Sequence, residues 1–93
     1  LLRDGLPGAN VVQIGIQSFA NSSAYARIAR EAGITVISCK QTHEIGLEES
    51  LRSAFAKLAA LDRIYVDLDL DVMDRGFAPA TPGSRPGGVT PWE

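Results

Sequence analysis

Apolar positions along the 93 residues fall into short blocks of two kinds. Residues 11 to 16, Val-Val-Gln-Ile-Gly-Ile, are compact and rich in β-branched side chains. Pro7 and Gly8 precede them and Asn21, Ser22 and Ser23 follow, which is the pattern of a buried strand. Asn21 to Ser23 then offer N-cap oxygens. From Ala24 onward Tyr25, Ile28, Ala29 and Ala32 recur at helical spacing until Gly33, a residue typical of the position just past a helix end. Residues 34 to 39, Ile-Thr-Val-Ile-Ser-Cys, predict a second strand. Leu47, Leu51, Phe55, Leu58 and Leu61 mark one face of a longer helix, with Glu48 and Glu49 suited to its positive end. Arg63, Ile64, Tyr65 and Val66 open a third strand. Strands alternating with helices of this length predict parallel βαβ crossovers and a doubly wound α/β sheet.

Beyond residue 72 the texture changes. Gly76, Pro79, Pro82, Gly83, Pro86, Gly87 and Gly88 crowd a stretch that suits neither helix nor central strand, so a long ordered loop is expected. Thr90, Pro91 and Glu93 then spell an N-cap, a first helical position and a capping-box acid. A helix start without a body, together with an opening Leu1, makes the chain read as a stretch from inside a larger α/β protein.

Composition narrows the function classes. Hydrophobic residues at 45% and charged residues at 22% describe an ordinary globular chain. Nine Lys and Arg against eleven Asp and Glu give a net charge of -2, which favours neither nucleic acid nor an anionic membrane as partner. No apolar run is long enough to span a bilayer. The single cysteine, Cys39, excludes an internal disulfide and points to the cytoplasm.

The chemistry concentrates in residues 66 to 74, Val-Asp-Leu-Asp-Leu-Asp-Val-Met-Asp. If the third strand runs through this segment, its period of two puts Asp67, Asp69 and Asp71 on one face and Val66, Leu68, Leu70 and Val72 on the other. Carboxylates spaced ~6 to 7 Å apart repel one another and resist desolvation unless water, basic groups or a cation compensates. They also fall at the carboxyl end of a strand, where open α/β sheets bind ligands. Two readings stand: a solvated strand end, and a site for a hard cation such as magnesium, manganese or calcium. An EF-hand loop is set aside, because counting from Asp67 puts Val72 at the turn glycine and Ala78 at the bidentate Glu.

Residues 69 to 74, followed by Phe77, Pro79, Gly87, Gly88, Val89 and Thr90, resemble the last metal-binding signature of the ureohydrolases, the family of arginase, agmatinase and formimidoylglutamase. Gln13 to Ile16 and the other predicted strands and helices sit where that fold has its βα units. The resemblance implies a three-layer α/β/α domain, of which residues 1 to 93 are part of a single catalytic domain. It places Asp69 and Asp71 at metal-ligand positions and Asp74 at the acidic position just beyond them, in a supporting role. Asp67 falls where many relatives have Ser.

The same resemblance implies two manganese ions bridged by hydroxide, which attacks an amidino or formimino carbon. Metal binding lowers the pKa of water from 15.7 to roughly 7. Urea is released by arginase-like members and formamide by formimidoylglutamase, an enzyme of histidine degradation. The family's Gly-rich histidine motif, its Asp-Ala-His-type motif and its later catalytic Glu have no counterpart here, so the stretch alone should be inactive. Trimers or hexamers are implied for the full-length protein. Phe19 to Ser22 and the loop Pro82 to Gly88 look more like formimidoylglutamase than like typical arginases, which carry Gly-Thr-Pro there.

An acidic substrate is thereby favoured, and Arg85 is the candidate for its carboxylate because a planar guanidinium fork suits that partner. A solvated loop arginine is the bland alternative. Agmatinase or guanidinobutyrase activity is the runner-up, and a non-catalytic, receiver-like magnesium module is the alternative from another class. His43, the lone histidine, is read as a helix-entry or surface residue, and Cys39 as a small buried side chain. Gln17, Ser18 and Asn21 lie where a substrate could reach, although turn formation and capping explain Ser18 and Asn21 as well.

Overall fold

The computed structural model describes residues 1 to 93. Strand β1, Val12–Ile16, pairs in parallel with β2, Thr35–Ser38. Helix α1, Ser23–Glu31, forms the crossover between them. The Ser22 side chain caps it by accepting from the Tyr25 N–H at 3.3 Å, as the Asn21 to Ser23 cluster predicted. Beyond its end, Gly33 adopts φ 77 and lets the chain reverse into β2.

After β2 the structure departs from expectation. A separate helix α2, Cys39–Ile45, starts directly at the strand end, where a connection to one longer helix was expected. A full capping box on Ser38 and Gln41 starts it: the Gln41 N–H donates to Ser38 Oγ at 3.2 Å, and the Ser38 N–H to Gln41 Oε1 at 2.9 Å. Gly46, at φ 89 and ψ 148, then breaks the helical path. Helix α3, Leu47–Leu58, follows with Glu48 and Glu49 in its first turn. Its end at Leu58 leaves Leu61 outside the helix. Both α2 and α3 pack against β1, and α1 packs against β2.

The third strand is the main correction. Residues 62 to 68 run without regular secondary structure and make no backbone hydrogen bond. Their apolar side chains are open to solvent, with Tyr65 88%, Val66 68% and Leu68 76% exposed. A strand is defined by its ladder, and no other segment of the 93 residues lies alongside to complete one. The expected period of two also fails at its end. Asp69 instead caps a 3-10 turn, Leu70–Val72, by accepting from the Asp71 N–H at 3.3 Å. Asp71 therefore sits in a turn, and the expected strand face of Asp67, Asp69 and Asp71 does not form.

Two glycines dock this segment onto the rest of the fold. Gly15 is buried in β1 at φ 82, at the point where the β1/β2 register shifts. A Cβ there would lie 2.4 Å from Val72 Cγ2, so the missing side chain is the space that Val72 fills. Gly88 is buried against the backbone of residues 72 to 74, and its Cβ would meet the Asp74 nitrogen at 2.4 Å and the Val72 oxygen at 2.6 Å. That approach allows the Val89 N–H to donate to the Val72 carbonyl at 2.9 Å and the Asp74 N–H to the Val89 carbonyl at 2.8 Å. At the far end, Glu93 accepts from the Thr90 N–H and hydroxyl, both at 2.9 Å, so the predicted capping pair forms within a turn.

Backbone on several sides of Gly88 cannot yield as a flexible side chain would. Gly88→Ala in the full-length protein should therefore cost about 1 to 3 kcal/mol, the usual range for overpacking a close-packed site. Chemical denaturation would measure it. An unchanged midpoint and slope would show that residues 72 to 74 and 88 do not pack this closely.

Candidate functional site

The four aspartates differ sharply in their surroundings. Asp67 is exposed and lies in the unpaired segment. Asp69 is exposed too, with one oxygen engaged by the Asp71 N–H. Asp71 lies beneath Gly83, where a Cβ would come within 2.4 Å of its Oδ2 and 2.9 Å of its own Cβ. Asp74 is the most tightly held. Its Oδ1 accepts from the Gly76 N–H at 2.7 Å and its Oδ2 from the Gly87 N–H at 2.6 Å. These donated bonds, Gly76 first and Gly87 next, hold its carboxyl below the ordinary value of 3.8.

None of the four forms an ion pair with a basic side chain; the Lys and Arg pairs are all made with glutamates of the helices. Asp69 and Asp71 are thus hard oxygen donors whose charge no protein cation offsets, a chemistry that fits a divalent ion. No group of three or more His, Cys, Asp or Glu side chains in these residues is arranged to hold a metal ion.

The Pro- and Gly-rich segment forms an ordered loop without helix or strand of its own. The buried Ser84 hydroxyl is 2.8 Å from both the Ala78 and the Thr81 carbonyl oxygens, and Arg75 Nη1 donates to the Ser84 carbonyl at 3.2 Å. The Arg75 N–H donates to the Arg85 carbonyl at 3.1 Å. Arg85 is consequently fixed by its backbone, while its side chain is exposed. The sequence-based expectations include neither the Gly76 bond of Asp74 nor its Gly87 bond, nor the bonds of Ser84 and Arg75. An Asp followed two residues later by Gly is a turn signal that could have located the first.

A crevice of about 420 Å³ opens past the ends of β1 and β2, lined by Gln17, Cys39, Lys40, His43 and the loop residues Pro86 and Gly87 among others. Its position agrees with the rule for parallel sheets. The Gln17 Nε2 is buried there without a hydrogen-bond partner. Cys39 is buried as expected and donates its thiol to the Gly87 carbonyl at 3.1 Å. Burial, and then the charge of Glu93, push its pKa above the ordinary 9.0. His43, at 3.8 Å from both Cys39 Sγ and a Glu93 carboxylate oxygen, is half-exposed and far from forming a metal cluster. It lies inside α2 and not at the start of the longer helix. Asn21 caps nothing, since Ser22 holds that position. The Glu93 carboxyl is lowered by the Thr90 N–H and hydroxyl and, to a smaller extent, by His43.

The family model for the arginase family matches residues 1 to 93 in full. The chain belongs to the arginase family. Among arginase-family relatives, the formimidoylglutamase of Halalkalibacterium halodurans is 43% identical over 91 residues, covering 96% of this chain and 28% of the relative. The guanidinopropionase of Pseudomonas aeruginosa is 39% identical over 79 residues, covering 85% and 24%. The crystal structure of formimidoylglutamase from Bacillus subtilis superposes with a TM-score of 0.90 at 28% identity, covering 97% of this chain and 28% of that one. The chain thus spans about a quarter of the length of the relatives it matches. The match establishes the arginase-type α/β fold, of which the β1/β2 pair and its helices are a part. No helix is long and apolar enough to cross a membrane.

The thiol of Cys39 keeps its proton to higher pH in the folded chain than in the unfolded one. Its contribution to stability is therefore present below about 9.0 and is lost as pH rises through the folded value. In the full-length protein, Cys39 should resist iodoacetamide at neutral pH and react only after denaturation, as read by peptide mass mapping. Rapid labelling of the native protein would show that the thiol is not packed against Gly87.

Proposed function

We propose that the full-length protein is a manganese-dependent hydrolase of formimino carbon, converting formimidoylglutamate to glutamate and formamide. The observation that carries this reading is the 43% identity to a formimidoylglutamase across nearly the whole chain, loop included. Residues 1 to 93 form part of one catalytic domain. Asp69 and Asp71 hold metal through their uncompensated carboxylates, and the remaining ligands come from other parts of the protein. Bound there, the metal pair supplies a water nucleophile ionised near neutral pH and offsets the charge that develops on attack.

The residues of this chain have distinct tasks. The carboxylates of Asp69 and Asp71 orient the cation site at the carboxyl end of their segment. Asp74 holds the loop that lies over Asp71. Arg85, on that loop, offers a fork to a carboxylate of the substrate, which fixes the formimino end relative to the metal. The soluble, oligomeric state of a trimer or hexamer and a cytoplasmic location belong to this proposal. A second reading, hydrolysis of a guanidino substrate with release of urea, is favoured by the similarity to guanidinopropionase. Membership of the arginase family leaves the receiver-like magnesium module without support.

In the full-length protein, Asp69→Asn and Asp71→Asn should each lower manganese content and activity far more than Asp67→Asn. Equal losses at all three would refute the assignment of ligands. Arg85→Ala should lose roughly 1.5 to 3 kcal/mol of interaction with the substrate carboxylate, the range for a bond to a charged group, and should raise KM for formimidoylglutamate more than it changes kcat. An unchanged KM would return Arg85 to the surface, and a wild-type preference for agmatine would favour the urea-releasing reading. The isolated 93 residues should hydrolyse neither substrate.

A further inference from the structure

We propose that Asp74 is a positioning residue, whose carboxylate latches the loop from Arg75 to Gly87 shut and thereby places the Asp71 carboxylate, the Arg85 backbone and one wall of the crevice together. The two ends of the loop meet on this one side chain. Gly76 N–H and Gly87 N–H donate to its two oxygens at 2.7 and 2.6 Å, although Gly87 lies 13 residues further along the chain. The backbone of Asp74 is tied to the same region through Val89, and Arg75 through Arg85. Ser84 braces the middle of the loop from within.

What the loop touches gives the latch its consequence. Gly83 leans on Asp71 closely enough that a methyl group there would displace the carboxylate. Pro86 and Gly87 form part of the crevice wall, and the Gly87 carbonyl is held from the opposite side by the Cys39 thiol. Gly87 itself sits at φ 82, a conformation that its lack of a side chain permits. A displacement of Gly87 would therefore move the crevice wall and the cover of Asp71 in one step. The carboxylate suits this task because it presents acceptors only, and both of the groups facing it are N–H donors. An asparagine would satisfy one donor and oppose the other with its own N–H.

The kinetic part of the test rests on the hydrolase reading, and the exchange part does not. In the full-length wild-type protein, hydrogen exchange should show the Gly76 and Gly87 amides protected and the Gly83 amide, which donates no bond, exchanging freely. Asp74→Asn should speed exchange at Gly87 by about tenfold or more, the loss expected for a bond to a charged acceptor. Manganese affinity should fall together with the loop protection, because Asp71 loses its cover, while at saturating manganese KM for formimidoylglutamate rises by a similar factor and kcat changes less. Asp74→Glu, which keeps both acceptor oxygens, should recover part of the protection and of the KM. Unprotected Gly76 and Gly87 amides in the wild type would overturn the proposal without any variant having to fold. So would an Asp74→Asn protein that loses manganese with loop exchange unchanged, since Asp74 would then be acting on the metal directly. Normal latch behaviour in a protein that hydrolyses no formimino compound would leave the latch standing and remove the proposed substrate.

Discussion

The backbone of residues 72 to 74 lies directly against Gly88, and the candidate site depends on that approach. Hydrogen bonds from Val89 to Val72 and from Asp74 to Val89 can form only because position 88 carries no side chain. Once they form, the 14 residues from Asp74 to Gly87 must return to their starting point, and the Asp74 carboxylate lies within reach of both ends. Gly83 is then brought down on Asp71. A steric requirement at one glycine thus becomes the placement of a carboxylate several residues away.

The second constraint is electrostatic. Asp67, Asp69, Asp71 and Asp74 lie within eight residues, and no Lys or Arg side chain bonds to any of them. Asp74 is stabilised by backbone N–H groups, which lower its pKa, and Asp69 receives one N–H. Asp71 receives no donor, although its carboxylate is crowded by the loop. Hydrogen bonding is therefore concentrated on the residue that shapes the loop, while the oxygens of Asp69 and Asp71, the proposed ligands, retain capacity for a cation. That division separates positioning from binding within one short segment.

Much of this was legible in the residues. The β-branched blocks of residues 11 to 16 and 34 to 39 hold the two strands, the second ending one residue early at Ser38, and the Ser22 cap and Gly33 mark the ends of α1, whereas α3 buries Ser50 and Ala54 and leaves Leu51 and Phe55 of the expected leucine face exposed. Helix α2 was not legible as a helix of its own, because seven residues carry too little apolar periodicity and its start depends on a reciprocal pair, Ser38 with Gln41, that is short of the usual acid. The third strand looked convincing on pattern alone, since periodicity reports which residues suit a strand and says nothing of whether a partner lies alongside. At Asp69 the extended path itself ends, because the carboxylate accepts the Asp71 N–H and starts a turn. For the site, residue types and spacing pointed to a carboxylate-rich strand end with Asp67, Asp69 and Asp71 alike, and only the resemblance to the ureohydrolases singled out Asp69 and Asp71. The latch on Asp74 escaped because a bond across 13 residues of loop has no local signature.

On the proposed function, Asp69 and Asp71 together bind a divalent cation, and the loop holds them ready for it. Anomalous diffraction at the manganese edge, on crystals of the full-length protein, tests it most directly. Two anomalous peaks are expected at the carboxyl end of this segment, with carboxylate oxygens of both Asp69 and Asp71 at coordination distance and Asp74 still bonded to the Gly76 and Gly87 amides. Peaks coordinated by Asp67 or Asp74 in place of Asp69 and Asp71, or no manganese near this segment, would contradict it.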